Sequence, residues 1–497
     1  MHFVQNFPFF SIILSMFSGI VSAVLPARAA KWMNTVLITA VGVMSAVLLG
    51  FLTVTGESYT YMMGHFPAPW GNEIRAGVLE AGMALFFAVI MLLSMLGGQK
   101  KLLGEVEYSK HNLYYILVDL LLSSLLALVY TNDLFTAYVF VEINTIAACG
   151  LIMIRQNGRT IEAAVRYMIM SLLGSGLFLM GLCTLYDLTG HLLMSNIKES
   201  VALLAAQQEY RIPLLTTIGL MCAGLAIKSA LFPFHSWLPD AYGYSTVSSA
   251  AMLSSLVSKG YIFLLIKIIY RVIGFDIFTQ SKVINVLFVF GVLGMIFGSL
   301  SAIRENDIRR MIAFSSVAQI GYIYMGFGLG TEIGMVASIF HILSHAATKA
   351  LLFIAAIGLT DVSGGSRKFI DLTGSGYRNK IAGVAFTVGS LSMVGVPMFS
   401  GFVSKLLFAQ SSVGHNYKML PAVLALALST ILNAIYFMKT VIRIYVPERR
   451  DDREIITMKD EKLYAVTLLL FILLNVALGM CSQPIVKWIW SGLSMFG

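Results

Sequence analysis

The sequence predicts an all-α polytopic membrane protein of about 14 transmembrane helices, with two inverted five-helix repeats in which helices 7 and 12 are broken. Three observations predict it. Of 497 residues, 58% are hydrophobic and 12% charged, against about 25% charged in soluble domains. Apolar runs of about 18 to 25 residues, the length that crosses ~30 Å of hydrocarbon, recur along the whole chain. Prolines interrupt the pattern at the end of the seventh run and within the twelfth, in the stretches LFPFHSWLP (231–239) and VGVPMFSGFVSK (394–405).

Taken in order, the runs lie at 7–25, 33–54, 78–97, 113–130, 132–153, 163–185, 212–231, 247–272, 284–303, 308–330, 333–359, 381–412, 419–445 and 463–482. The first lacks the basic start of a signal peptide and is long enough to span, so it counts as a helix. Loops after odd-numbered runs hold 21 basic residues, from Arg28 and Lys31 to Lys459 and Lys462, against seven on the other side. The positive-inside rule then puts the odd loops in the cytoplasm and both termini outside; the location expected is a prokaryotic inner or plasma membrane. Residues 196–209 read as a short amphipathic surface helix and 485–496, with Trp488 and Trp490, as an interfacial anchor. Residues 1–112 form helices 1–3, 113–272 a first repeat, 273–445 a second, and 446–497 a cytoplasmic loop, helix 14 and the tail. The two interrupted runs lie five spans apart, an odd offset that gives the copies opposite topology.

Some chemistries find no support in the pattern. Cys149, Cys183, Cys222 and Cys481 stand alone in apolar surroundings with no paired spacing, so they read as small packing residues and not as a metal or disulfide framework. The net charge of +9 is spread over short loops, which fits membrane orientation and not nucleic-acid binding. No cofactor, metal site, redox site or hydrolytic site is visible.

Six lysines fall within the runs: Lys228, Lys259, Lys267, Lys349, Lys405 and Lys439. Lys267 and Lys439 lie near run ends, where a long stem can snorkel to the headgroups. The other four need another account, because a charge near the bilayer centre costs roughly 2.5–3.5 kcal/mol on insertion scales. Glu142 lies about ten residues into the fifth run, near mid-membrane, and is expected to pair with Lys228. An opposite charge alongside holds each partner ionised, so separating the two changes which of them keeps its proton. A pair that only packs helices is the plainer alternative, but such pairs stabilise poorly compared with apolar packing. His341, His345 and Lys349 recur at i, i+4 and i+8 and share one helix face. Histidine exchanges protons near neutral pH, which suits a relay; two histidines on one face cannot sit above and below one haem iron. Pro233, Pro239 and Pro397 lack backbone donors and are expected to break helices 7 and 12. Broken helices are tolerated at membrane depth where protein or a water-filled cavity satisfies the freed groups.

The segments IKSALFPFHSWLPDAYGYSTVSSAAML, RENDIRRMIAFSSVAQIGY and HILSHAATKALLF resemble the antiporter-like subunits of respiratory complex I, membrane-bound hydrogenases and Mrp-type cation/proton antiporters. The resemblance covers nearly the whole chain, most strongly helices 4 to 13. It implies proton translocation by Glu142, Lys228, Lys259 and Lys405, with His341, His345 and Lys349 matching the family's helix-eleven motif. GFVSK, ending in Lys405, and the loop GHFPAPWGNEIRA resemble the Mrp D-type subunit and its hydrogenase counterparts. The resemblance implies partners: other membrane subunits of one complex, further antiporter-like subunits among them, with protons, and Na+ as a further option, as the ions moved through the lipid bilayer. Any enzymatic role would belong to an oxidoreductase or hydrogenase of which this chain is a part. The reading that follows is a proton-translocating, Mrp-like subunit, with a complex I subunit as the alternative. A rival from another class is a non-transporting scaffold whose buried charges only fix helix register.

Overall fold

The computed structural model describes residues 3–63, 66, 71–413, 417–447, 455–456 and 461–496. Arg449, Arg450, Arg453 and Lys459, counted above for orientation, and most of the 64–70 segment of the D-type loop lie outside the described residues.

The chain is a helical bundle. Its helices are α1 (Phe7–Ser22), α2 (Ala27–Thr55), α3 (Val78–Glu105), α4 (His111–Tyr130), α5 (Leu134–Met153), α6 (Gly158–Thr189), α7 (Met194–Ala205), α8 (Arg211–Lys228) and α9 (Leu238–Tyr244). There follow α10 (Val247–Met252), α11 (Ser258–Ile268), α12 (Phe275–Gln280), α13 (Val283–Arg304), α14 (Ile308–Leu329), α15 (Glu332–Asp361) and α16 (Ser375–Arg378). The last are α17 (Lys380–Val394), α18 (Ser400–Val413), α19 (Met419–Ile444), α20 (Lys462–Met480) and α21 (Ser482–Ser494). Between α2 and α3, strands β1 (Tyr59–Met62) and β2 (Glu73–Ala76) pair antiparallel with Tyr59 opposite Ala76. Local sequence explains many helix ends. Asp133, Asn157 and Asp307 accept backbone hydrogen bonds as N-caps, and Gly56, Gly190 and Gly330 close α2, α6 and α14 in the left-handed conformation.

Thirteen helices among the described residues are long and apolar enough to cross a membrane. The twelfth apolar run is not one of them, because it is shared between α17 and α18 with Gly395–Phe399 between. Helix α8 stops at Lys228, and the chain runs without regular helix until α9, passing through Ala230 at φ +64°. Pro233 lies in that gap. Pro239 does not break a helix: it is the second residue of α9, in the first turn, where a missing donor costs nothing. A further interruption gave no sequence signal: α10 and α11 are joined by one π-helical turn, Leu253–Val257, and followed by another, Ile269–Ile273.

The apolar windows of α15 and of the α10–α11 segment are 100% buried, whereas those of α1 and α2 are 33% and 28% buried. The former pair therefore forms the centre and the latter the flank. Close seams depend on small residues. A Cβ on Gly224 of α8 would lie 2.6 Å from the Gly174 carbonyl of α6, and one on Gly291 of α13 would lie 2.4 Å from the Met325 nitrogen of α14.

Three expectations about the surface change or sharpen. Lys267 does not snorkel: it is fully buried and donates to the carbonyls of Leu128 (3.1 Å), Val129 (2.9 Å) and Thr131 at the end of α4. The tail is more than an interfacial anchor, since α21 presses Trp488 onto Gly82 of α3 and Phe496 beneath the Arg271 guanidinium at 4.0 Å. The amphipathic segment is α7, burying Met194, Ile197 and Val201.

Candidate functional site

The candidate residues run from α5 and α8, through α11 and α15, to α18, and all are buried except Glu142 and Lys405, which are partly exposed. At one end, Lys228 is the last residue of α8 and its side chain is fully enclosed. Its ammonium stands 3.9 Å from Glu142 Oε1 and donates to Thr145 Oγ1 (2.7 Å) and Ser171 Oγ (2.9 Å). It also lies 5.3 Å from the centre of the Tyr261 ring. Glu142 Oε1 itself has no hydrogen-bond partner. The pair is thus close in charge but not locked: the ammonium's short contacts are to neutral hydroxyls, and the carboxylate stands just beyond hydrogen-bonding range. Thr145 is one turn from Glu142 on α5, and Tyr261 Oη joins it at 3.3 Å and Asn144 Oδ1 at 3.0 Å.

The next lysines are held by backbone. Lys259, fully buried at the start of α11, donates to the carbonyl of Ser254 in the π turn. Lys349 donates to the Ile312 carbonyl (2.8 Å) and to Ser315 Oγ of α14. Lys405 reaches across the break and donates to the carbonyls of Val394 (2.6 Å) and Met393 (3.2 Å), with Thr430 Oγ1 of α19 at 3.1 Å. Those two carbonyls belong to the C-terminal turn of α17, where unpaired acceptors and the negative end of the helix dipole meet. The interruption in helix 12 therefore makes the cradle for its own lysine.

His341 and His345 bridge the middle. Their rings stack at 6.0 Å. His341 Nδ1 contacts Ser404 Oγ at 2.9 Å, while its Nε2 and both ring nitrogens of His345 have no partner. Lys349 stands one turn beyond His345 on α15, and the Tyr322 ring stacks on His341 at 5.5 Å and lies 5.7 Å from the Lys405 ammonium. No hydrogen bond directly joins Lys228, Lys259, His345 and Lys405 to one another among the described residues. Pro397 sits in the Gly395–Phe399 link beside Lys405 and takes no part in these contacts.

Sequence reading missed the neutral groups: Asn144, Thr145, Ser171, Tyr261, Ser315 and Thr430. Only Asn144 and Thr145, two and three residues from Glu142, and Tyr261, two residues from Lys259, stood near enough to a flagged charge to be found. It also missed a second buried pair, Arg271 with Glu80, whose side chains are 2% and 1% exposed.

Fold and site together define a polytopic helical membrane protein with titratable groups running through its interior across two broken helices. The particular family follows from comparison. The family described as the NADH:quinone oxidoreductase/Mrp antiporter transmembrane region matches residues 131–432, and the chain belongs to it. NADH-quinone oxidoreductase subunit N of Desulforudis audaxviator is 33% identical over 81% of this chain and 78% of its own length. The D-type subunit of the Na(+)/H(+) antiporter of Alkalihalophilus pseudofirmus is 26% identical over 86% of this chain and 84% of its own. Among solved structures, a chain of the membrane-bound sulfane sulfur reductase, an archaeal respiratory membrane complex, superposes with TM-score 0.86 at 25% identity, covering 99% of this chain and 97% of that one.

Proposed function

We propose that this chain is a proton-translocating, antiporter-like subunit of a multisubunit membrane assembly, with Glu142, Lys228, Lys259, His345, His341, Lys349 and Lys405 as the relay. The observation that carries the reading is the Glu142–Lys228 pair at 3.9 Å. A charge pair that served packing alone would be expected to close to hydrogen-bond contact, because a buried ion pair offsets its desolvation only when its geometry is good. Here the ammonium has alternative neutral acceptors, so the pair can open without leaving either group stranded. Opening it changes the field at the neighbouring lysines, and each lysine or histidine that loses a proton alters the field at the next. Bridging water would carry the proton between groups that do not touch.

Glu142 also supports the partner reading. It lies on one stripe of α5 with Phe135, Val139 and Ile146, which are 47%, 39% and 61% exposed. A carboxylate in an apolar, outward-facing stripe needs protein cover, as further membrane subunits would provide. The name of the Alkalihalophilus relative supports a version in which Na+ is exchanged for protons. The Mrp-like assembly favoured by GFVSK and the complex I alternative share this relay, and the NADH-quinone oxidoreductase relative is the more identical of the two, so proton movement within a larger assembly is the function proposed. On this reading 113–272 and 273–445 are inverted repeats, the basic loops are cytoplasmic and both termini lie outside a prokaryotic inner membrane.

The test is ion flux in inverted vesicles carrying the assembled complex, with ΔpH and Na+ followed together. Lys228→Ala and Glu142→Gln are expected to assemble on native gels and to lose proton movement by about tenfold or more. Normal flux in both assembled variants would return the chain to a scaffold role.

A further inference from the structure

Away from the relay, a groove of about 920 Å³ runs along α19, walled by the end of α13, Met311 of α14 and the link between α15 and α16. It follows α19 from Ala434 to Val446, about 18 Å at 1.5 Å per residue, a little more than the ~15 Å depth of one leaflet of hydrocarbon. Most of its wall is apolar: Ile303, Met311, Ile435, Met438, Ile442 and Val446 line it. Ile442 and Ile370 on its rim are 66% and 70% exposed. Charge gathers toward the end near the basic loops. Lys439 and Arg443 stand one turn apart on α19, and Lys368 joins them from the link after α15. Arg443 Nε donates to the Phe369 carbonyl at 3.2 Å, which fixes the guanidinium at that end, and the long stem of Lys439 can carry its ammonium the same way. Glu305 also lines the groove, but its carboxylate is committed to Arg310, whose Nε donates to both oxygens at 3.3 Å and whose Nη2 donates to Oε1 at 3.2 Å. Among the described residues none of the three cations pairs with a carboxylate.

We propose that this groove holds an anionic glycerophospholipid from the leaflet on the basic-loop face, with one acyl chain along α19 and its phosphate among Lys368, Lys439 and Arg443. Charge decides between the occupants. Water finds few partners along the apolar wall, and an apolar helix of another subunit would cover that wall yet leave three cations unneutralised. An amphiphile with its negative charge at one end matches both parts, and basic side chains between transmembrane helices are the arrangement that binds such headgroups. The bound lipid ties α19 to α13 and α14, and α19 is the helix whose Thr430 hydroxyl helps hold Lys405. The site is separate from the relay and does not depend on it.

The test uses the assembled complex in nanodiscs of phosphatidylcholine with a trace of phosphatidylglycerol that carries a photoreactive group midway along one acyl chain. Photolysis and peptide mapping are expected to place the label on residues 434–446, with unlabelled phosphatidylglycerol competing and glycerol phosphate not. The double variant Lys439→Gln/Arg443→Gln is expected to lose about tenfold or more of the label, while Lys439→Arg/Arg443→Lys keeps it. Ile442→Trp fills the groove, leaves the cations in place and is expected to lose the label too. Native gels check assembly of each variant first; if the double variant does not assemble, the competition and Ile442→Trp decide. Undiminished label in the assembled double variant, or equal label from a photoreactive phosphatidylcholine, shows bilayer lipid without headgroup selection and overturns the proposal. So does wild type with no label on α19, which shows that another segment fills the groove. Displacement by glycerol phosphate assigns the cations to a soluble phosphate and overturns the lipid.

Discussion

Lysines inside the spans are held mostly by backbone carbonyls, and those that hold Lys267 and Lys405 are left unpaired at helix ends. Lys259 uses a π turn, Lys267 the end of α4, Lys349 the Ile312 carbonyl and Lys405 the end of α17. A carbonyl that has lost its helical partner would be costly to bury alone, and an ammonium without acceptors more so, so each offsets the other's desolvation. Lys228 differs, since its partners are hydroxyls and a carboxylate. Outside the spans, Lys418 repeats the carbonyl pattern by donating to Gly328 at 2.6 Å beside the end of α14, and burial pushes its pKa down to about 8 from 10.5. Between those values the unfolded chain binds more protons than the folded one, so stability of the α14–α19 seam rises with pH across that window and levels off below about 8. Amide hydrogen exchange at the end of α14 should slow, relative to the intrinsic rate, as pH rises from 8 to 10.5; in Lys418→Met this extra protection should be independent of pH. The lysines were visible in the sequence because charge in an apolar run is conspicuous. Their acceptors were not, because a serine or a carbonyl looks the same wherever it lies.

Broken helices have a local cause and a longer-range use. Gly395 adopts φ +90°, and a Cβ there would lie 2.9 Å from Lys405 Cδ and 3.2 Å from its ammonium. Gly395→Ala therefore adds about 1–2 kcal/mol of backbone strain and pushes the lysine off the Val394 carbonyl. Gly364, at φ +67°, has nothing within 4 Å of its would-be Cβ, so Gly364→Ala carries the same strain without touching the relay. Comparable losses of melting temperature are expected in the two variants, with proton flux lowered several-fold only in Gly395→Ala. Equal flux would show that the cradle at the end of α17 is unimportant. The proline pattern located both interruptions to within a few residues. It misassigned Pro239, because a proline reads alike whether it ends one helix or opens the next, and it missed the π turns, whose extra residue carries no composition signature.

The bundle is closed by its last helix. Trp488 packs on Gly82, the Phe496 ring covers Arg271, and Arg75 Nη2 donates to the Met495 carbonyl at 2.8 Å. Arg271 is the ion partner of Glu80, so removing the tail would open a buried charge pair to the outside and forfeit a desolvated cation–π contact of about 2 kcal/mol. A chain ending at Cys481 is expected to melt at a lower temperature in detergent and to assemble poorly, and Phe496→Ala should show part of the loss. An unchanged melting curve for the truncated chain would mean that α21 merely rests on the surface.

Sequence alone settled the helical membrane architecture, which apolar runs carry charge and the two interruptions at Pro233 and Pro397. Each of these follows from a rule acting along one chain: the length of an apolar run, the cost of charge in hydrocarbon, and the missing donor of proline. Folding decided what each charge meets. Thr145 comes to Lys228 from 83 residues away, and Val129 to Lys267 from 138. Such pairings depend on which glycines let two helices approach and which carbonyls an interruption releases, and neither is written in the local pattern around the charge itself.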